Sequence, residues 1–155
     1  MKEHVTLRCG LDYVGVGLGA MTFRRDGQVF LSRRAVGATN ERGCWEFPGG
    51  RLEFGEKLND GIRREFREEY GIDIQLVTLL GVFDHILEQE GQHWVSITFI
   101  ACHSGGVPRI LEPQKCSAIG WFNLMQLPRP LTMVSEENFK SYHARYGSRS
   151  DWCAA

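Results

Sequence analysis

The stretch from Gly50 to Ile72, GRLEFGEKLNDGIRREFREEYGI, constrains the fold more than any other part of the chain. Leu58 to Tyr70 has the phase of a helix: at 100° per residue, Leu58, Ile62 and Phe66 make one narrow apolar stripe. Gly71 stands where a left-handed cap is expected to end it. Glu65, Glu68 and Glu69 follow at i, i+3 and i+4, so they are neighbours on one face, directly beside the apolar stripe. Arg63 and Arg67 fall on the far side, toward solvent. Three like charges within a turn, at the edge of a buried surface, cost a few tenths of a kcal/mol per pair. Selection for stability alone would disperse them. A hard cation reverses the sign, because Mg²⁺ or Mn²⁺ prefers carboxylate oxygens and is commonly shared with substrate phosphates. The acids are therefore read as a metal site, not as a solvated face.

The flanking residues fit that reading. Phe47-Pro48-Gly49-Gly50-Arg51 cannot be a central strand, and its glycines let backbone approach a ligand closely. Glu53 and Glu56 add two acids before the helix, and Glu56 favours the helix N-terminus through the macrodipole. Arg64, adjacent to Glu65 and four residues before Glu68, is placed to orient a carboxylate through charged hydrogen bonds. Such a cluster accepts a diphosphate and polarises water for attack on phosphorus.

Around this segment the chain reads as strands and hairpins. Tyr13 to Phe23 and Gln28 to Arg33 flank an Asp26-Gly27 turn, and Trp45 to Phe47 is a short extended piece. Ile72 to Asp84 and His93 to His103 flank Glu90-Gly91, and Ala118 to Phe122 is one more strand. Ser135 to Tyr146 is a closing helix with Ser135 as N-cap, and the tail after Gly147 is expected to fray. Five or six strands and two helices, with hairpins outnumbering crossovers, point to an α/β or α+β sandwich in one domain over residues 1–155. Gly15, Gly17 and Gly19 lack the following helix that a dinucleotide fingerprint needs.

Composition excludes more than it assigns. A formal charge of −1 argues against a stable nucleic-acid complex. Fourteen Arg against four Lys lean toward anion handling, since the guanidinium fork suits phosphate. The five cysteines, Cys9, Cys44, Cys102, Cys116 and Cys153, have no CxxC spacing, and no leader or long apolar run accompanies them. They are expected to be reduced thiols of a cytoplasmic protein with no membrane segment.

Gly50, Glu56, Arg64-Glu65, Phe66, Glu68-Glu69, Gly71 and Ile72 match the Nudix box, G-x5-E-x7-R-E-U-x-E-E-x-G-U. With the FPGG segment before it and "WFNLMQLP" near the end, the chain resembles a whole Nudix hydrolase domain from about residue 12 to 146. The resemblance implies an α/β/α sandwich with a mixed sheet and a loop-helix-loop that holds a divalent metal, Mg²⁺ or Mn²⁺. It implies Glu65, Glu68 and Glu69 as metal-side acids, with the Gly49 carbonyl and Glu112 of "LEPQKC" as further ligands. In MutT-like members the acid at the Glu65 position is the general base, oriented by the Arg at the Arg64 position. Arg34 sits where such enzymes place an Arg against the nucleotide, and Phe47 where an aromatic borders the base.

The wording "GRLEFGE", "HWVSITF" and "LEPQKC" is similar to small nucleoside triphosphate pyrophosphatases, which cleave a (d)NTP to (d)NMP and pyrophosphate and are often homodimers. Arg129, Pro130 and Leu131 stand where MutT proper carries an Asn that reads 8-oxoguanine, which argues against that role. Met133, Glu136 and Asn138 are either base-pocket residues or helix entry. The Pro and Tyr that mark ADP-ribose and diadenosine polyphosphate members are absent after the box. An ADP-ribose or nucleotide-sugar hydrolase is the alternative, and a non-catalytic nucleotide sensor ranks below it. His85, His93 and Trp121 are read as structural, and nothing beside Cys44 marks it as an activated thiol.

Overall fold

The computed structural model describes residues 5–153. In order, its elements are β1 (Gly15–Phe23), β2 (Val29–Arg34), β3 (Trp45–Glu46), β4 (Gly49–Arg51), α1 (Leu58–Tyr70), β5 (Asp73–Leu87), β6 (Gln92–Gly105), β7 (Cys116–Phe122) and α2 (Met133–Tyr146). The strands form one mixed sheet with β3, β2, β1, β6 and β5 side by side, β4 joined to β1 and β7 to β2. β1 runs parallel to β6, and the remaining pairs are antiparallel.

Strand alternation builds two cores from one sheet. Leu18 and Ala20 of β1, Phe30 of β2 and Phe99 and Ala101 of β6 face α1, where Ile62, Phe66 and Tyr70 are buried against them. The intervening residues, Met21, Phe23, Val29, Leu31 and Ile100, face the other way and pack with Tyr142 of α2. Burial of Ile62 or Phe66 contributes roughly 1.5–3 kcal/mol each. The expected α/β/α sandwich with a mixed sheet is thus the observed architecture. Leu58, expected in the apolar stripe, lies at its edge and is 36% exposed. Gly71 ends α1 in the left-handed conformation, at φ 68°. The two carbonyls at that end are taken by the loop before β7: Leu111 N–H donates to Glu69 O and Arg109 N–H to Tyr70 O, both at 3.0 Å.

The sheet opens where the box enters it. β1 meets β2 only at Phe23↔Val29, while its first half pairs with β4 through Gly17↔Arg51, Leu18↔Gly50 and Gly19↔Gly49. The segment before α2 closes the same region, since Trp45 N–H donates to Pro130 O and Thr132 N–H to Trp45 O.

Three expectations are corrected. Helix α2 starts two residues before Ser135, at Met133, and its N-cap is Thr132, whose hydroxyl accepts from Ser135 N–H. Ser135 is instead free to accept from Phe47 N–H with its own hydroxyl, at 3.1 Å. The tail does not fray through residue 153: Trp152 packs edge-on against Tyr146 with centroids 5.0 Å apart, and its indole N–H donates to Tyr142 Oη. The cysteines are not all reduced, for Cys102 and Cys153 form a disulfide that fastens this tail to β6. A bond between residues 51 apart in sequence leaves no local trace in spacing, so the disulfide was not readable from the chain. Among the described residues no helix is long and apolar enough to cross a membrane.

Candidate active site

α1 presents its acids to a cleft of about 460 Å³, lined by Glu65, Glu68 and Glu69 together with Gly49, Gly50 and Glu46. Why Glu65 reaches this cleft is explained by its neighbour across the β4–α1 contact. A Cβ on Gly50 would lie 2.1 Å from the Glu65 carboxyl carbon, so any other residue there would push that carboxyl out of its present place. A Cβ on Gly49 would fall 1.7 Å from Leu18 O, which fixes the second glycine of the pair.

Arg64 is the hub of the acids. Its Nε and Nη2 grip Glu56 at 2.9 and 2.7 Å, and Nη1 donates to Glu65 Oε1 at 2.9 Å and Glu68 Oε2 at 3.1 Å. Nη2 also donates to Arg51 O at 3.1 Å. This guanidinium fork pulls the Glu56 carboxyl down to about 2. Glu65 behaves oppositely: burial pushes its carboxyl up, and Arg64 only partly opposes this. Glu69 is pushed up to about 8, first by burial and then by the charges of Glu65, Glu46 and Glu112.

Glu112 is brought to the cluster by the loop that caps α1, and it pairs with Lys115 at 2.8 Å. Arg67 faces solvent and pairs with Asp73, as its phase predicts. Arg63, expected beside it, is only half-exposed. Among the described residues no three His, Cys, Asp or Glu side chains converge as a ligand set.

A second compartment of about 220 Å³ adjoins the first, sharing Arg34, Glu46, Arg51 and Trp94, and is lined by Phe47, His85, Ser96, Thr98 and Asn138. Phe47 borders it although its ring is largely buried in the α2-side core. Asn138 is buried and accepts from Thr98 Oγ1 at 3.0 Å, so it belongs to the compartment and not to helix entry alone. Arg34 lines both compartments, yet its donors are turned to Asn40 O, Asn40 Oδ1 and Glu46. His85 pairs with Glu41 at 3.2 Å and is structural in that sense. Trp121 packs on Phe30, centroids 5.1 Å apart. Cys44 is pushed up by burial, the reverse of an activated thiol.

Sequence reasoning passed over Glu46 and Lys115. Glu46 alternates with Trp45 and Phe47 in an extended piece, so period two puts it on the opposite side from both aromatics. That signal was available. Burial pushes its carboxyl up while Arg34 opposes the shift. Nothing local marks Lys115, which reaches the acids only because the loop before β7 folds over α1.

The NUDIX domain family matches residues 14–144. The "8-oxo-dGDP phosphatase NUDT18" of Mus musculus is 36% identical over 92 residues, 58% of this chain but 27% of that protein. The "ADP-ribose pyrophosphatase" of Methanocaldococcus jannaschii is 30% identical over 118 residues, 76% of this chain and 67% of that one. The chain spans less than a third of the length of the NUDT18 relatives it matches. Among solved structures, the MutT NUDIX hydrolase from Burkholderia pseudomallei has a TM-score of 0.76 and 39% identity, covering 83% of this chain and 98% of that one. Box, sandwich and relatives agree, and the chain belongs to the NUDIX domain family.

Proposed function

We propose that this protein hydrolyses the diphosphate linkage of a nucleoside diphosphate derivative in a Mg²⁺-dependent reaction, with a (d)NTP giving (d)NMP and pyrophosphate. The observation that carries this is the joined pair of compartments: helix acids line one, and Phe47 and Asn138 line the other. A diphosphate suits the first, and the group attached to it suits the second. By chemistry the candidate donors, carboxylate oxygens of Glu65, Glu68, Glu69 and Glu112 with the Gly49 carbonyl, suit Mg²⁺ or Mn²⁺, and to hold it the acids would have to leave their present partners Arg64 and Lys115 and draw together. The Glu69 carboxyl is raised first by its burial and then by the charges of Glu65, Glu46 and Glu112, a crowding of acids that a bound cation would relieve. When bound, such a cation neutralises phosphate charge and makes water a better nucleophile.

The chain's own residues do the rest. Arg64 holds Glu65 by Oε1 and Glu68 by Oε2, which fixes both carboxylates before substrate arrives. Glu65 Oε2, the oxygen Arg64 does not hold, takes the proton of the attacking water, and its raised basicity suits that task. Arg34 and Phe47 shape the nucleotide side.

The same acids suit ADP-ribose or a nucleotide sugar, and the relative from Methanocaldococcus jannaschii, named an ADP-ribose pyrophosphatase, favours this second reading. A panel of dNTPs, dNDPs, ADP-ribose and nucleotide sugars with Mg²⁺, scored for pyrophosphate against phosphate, separates the two. Glu65→Gln is expected to abolish turnover with no loss of melting temperature. Retention of most of the wild-type kcat sinks the role given to Glu65, and no turnover of any panel member sinks the hydrolase reading.

A further inference from the structure

A cleft of about 730 Å³ shares no lining residue with the two compartments of the candidate active site. Its walls carry Arg24, Arg25, His103 and Trp152, and both cysteines of the Cys102–Cys153 disulfide. Its charge is the reverse of that in the acidic cleft. Among the described residues no Asp or Glu lines it. Asp26 is paired with Arg24 at 2.9 Å, and Asp73, beside Gly105 of the wall, is paired with Arg67 at 2.6 Å. Arg25 is exposed and has no ion-pair partner among the described residues. Both cysteines are half-buried, so a small thiol entering the cleft can reach the bond. Exchange at a disulfide is limited by such access, and the free charge of Arg25 favours an anion over a cation.

The bond joins segments of unequal freedom. Cys102 is fixed in β6 between Phe23 of β1 and Gln75 of β5, whereas Cys153 stands in the irregular tail after α2. That tail braces the helix. Trp152 packs on Tyr142 and Tyr146, and Arg149 lies over its ring at 3.8 Å. Tyr142 is fully buried one turn after Asn138, which lines the smaller compartment of the candidate active site.

We propose that the Cys102–Cys153 bond is an exchange site for a small anionic thiol, and that its opening releases the brace on α2. The thiol, as its thiolate, bonds to Cys153 Sγ. The Cys102–Cys153 bond breaks, and Cys102 leaves as a thiolate that takes a proton from water. One disulfide replaces another, so the step needs no further oxidant or reductant. The product is a freed tail carrying a mixed disulfide.

The test treats the full chain with 3-mercaptopropionate or 2-mercaptoethylamine, quenches with acid at early times, and reads intact and peptide masses. An adduct on Cys153 is expected with 3-mercaptopropionate. Arg25→Glu is expected to slow that reaction about 3- to 10-fold, less in high salt, without slowing 2-mercaptoethylamine. Arg25→Lys is expected to keep the wild-type rate, and both variants the wild-type basal turnover. The adduct is expected to lower Tm and to raise KM several-fold with a smaller change in kcat. Native protein that stays unmodified while urea-unfolded protein reacts overturns the exchange site. Equal slowing of both thiols by Arg25→Glu overturns the preference for an anion, and an adduct with unchanged Tm and KM overturns the release of α2. Only the KM readout rests on the function proposed above. A protein that forms the adduct and loses Tm but turns over no nucleotide therefore overturns that function and upholds the exchange site.

Discussion

At the scale of single residues, the acids of α1 are arranged for a task at a cost in stability. Glu69 has its carboxyl raised from 4.5 to about 8 by burial and by three neighbouring carboxylates. For an acid whose folded value lies above its unfolded one, the folded state binds more protons, so stability falls as pH rises between the two values. The cost to folding therefore grows from about pH 5 to about pH 8 and is fully present above that. Glu69→Gln is therefore expected to raise Tm by several degrees in EDTA at pH 7.5, an advantage that shrinks toward pH 4.5. The same variant is expected to lose most of the Tm increase that Mg²⁺ gives the wild type, together with turnover. A Tm equal to or below wild type in EDTA contradicts the electrostatic account. Gly50 shows the complementary constraint, since its missing Cβ is the space Glu65 needs.

At the scale of elements, the loop between β2 and β3 is tied to α2 and β5 by one side chain. Glu41 Oε1 accepts from Met133 N–H at 2.7 Å, at the start of α2, and Oε2 faces His85 Nε2 at 3.2 Å. Glu41 adopts φ 45°, an unfavourable conformation for a residue with a Cβ, which these contacts hold in place. Burial pushes its carboxyl up, but His85 and the helix N–H together outweigh this and leave it below its ordinary value, with Arg34 adding a weaker pull. The sign is then opposite to that of Glu69: the stabilisation is present above the unfolded value and is lost as pH falls through the folded one. Glu41→Gln is expected to cost on the order of 1–3 kcal/mol at pH 7, a few degrees in Tm. The difference from wild type should close below the carboxylate range. A Tm gap independent of pH between 7 and 3 refutes the charge-based linkage.

At the scale of the whole molecule, the disulfide between Cys102 and Cys153 closes a long loop from β6 past α2. For a separation of 51 residues, loop-closure entropy gives about 4 kcal/mol in the chain-entropy account. Reduction or Cys153→Ser is expected to lower Tm by about 10 °C. The variant itself should show no further response to reductant. A wild-type Tm unchanged by reductant would mean the bond contributes nothing to the fold.

The sequence by itself determined the parts whose causes are local. The phase of Leu58–Tyr70, the glycine cap at Gly71 and the acids at i, i+3 and i+4 are set within a few residues, where helical geometry leaves little choice. The hairpins around Asp26-Gly27 and Glu90-Gly91 are local in the same way. Only the tertiary structure decided the rest. It turned Arg34 inward to Asn40 and left Arg51 in the cleft, because ion pairing depends on which strands become neighbours. It folded the loop before β7 over the end of α1, bringing Glu112 and Lys115 to the acids. It put Thr132, not Ser135, at the cap of α2, because the preceding residues pair with Trp45. The reason is the same in each case: hydrogen bonds and ion pairs between distant segments are fixed by sheet order and layer packing, and sequence spacing carries no record of them.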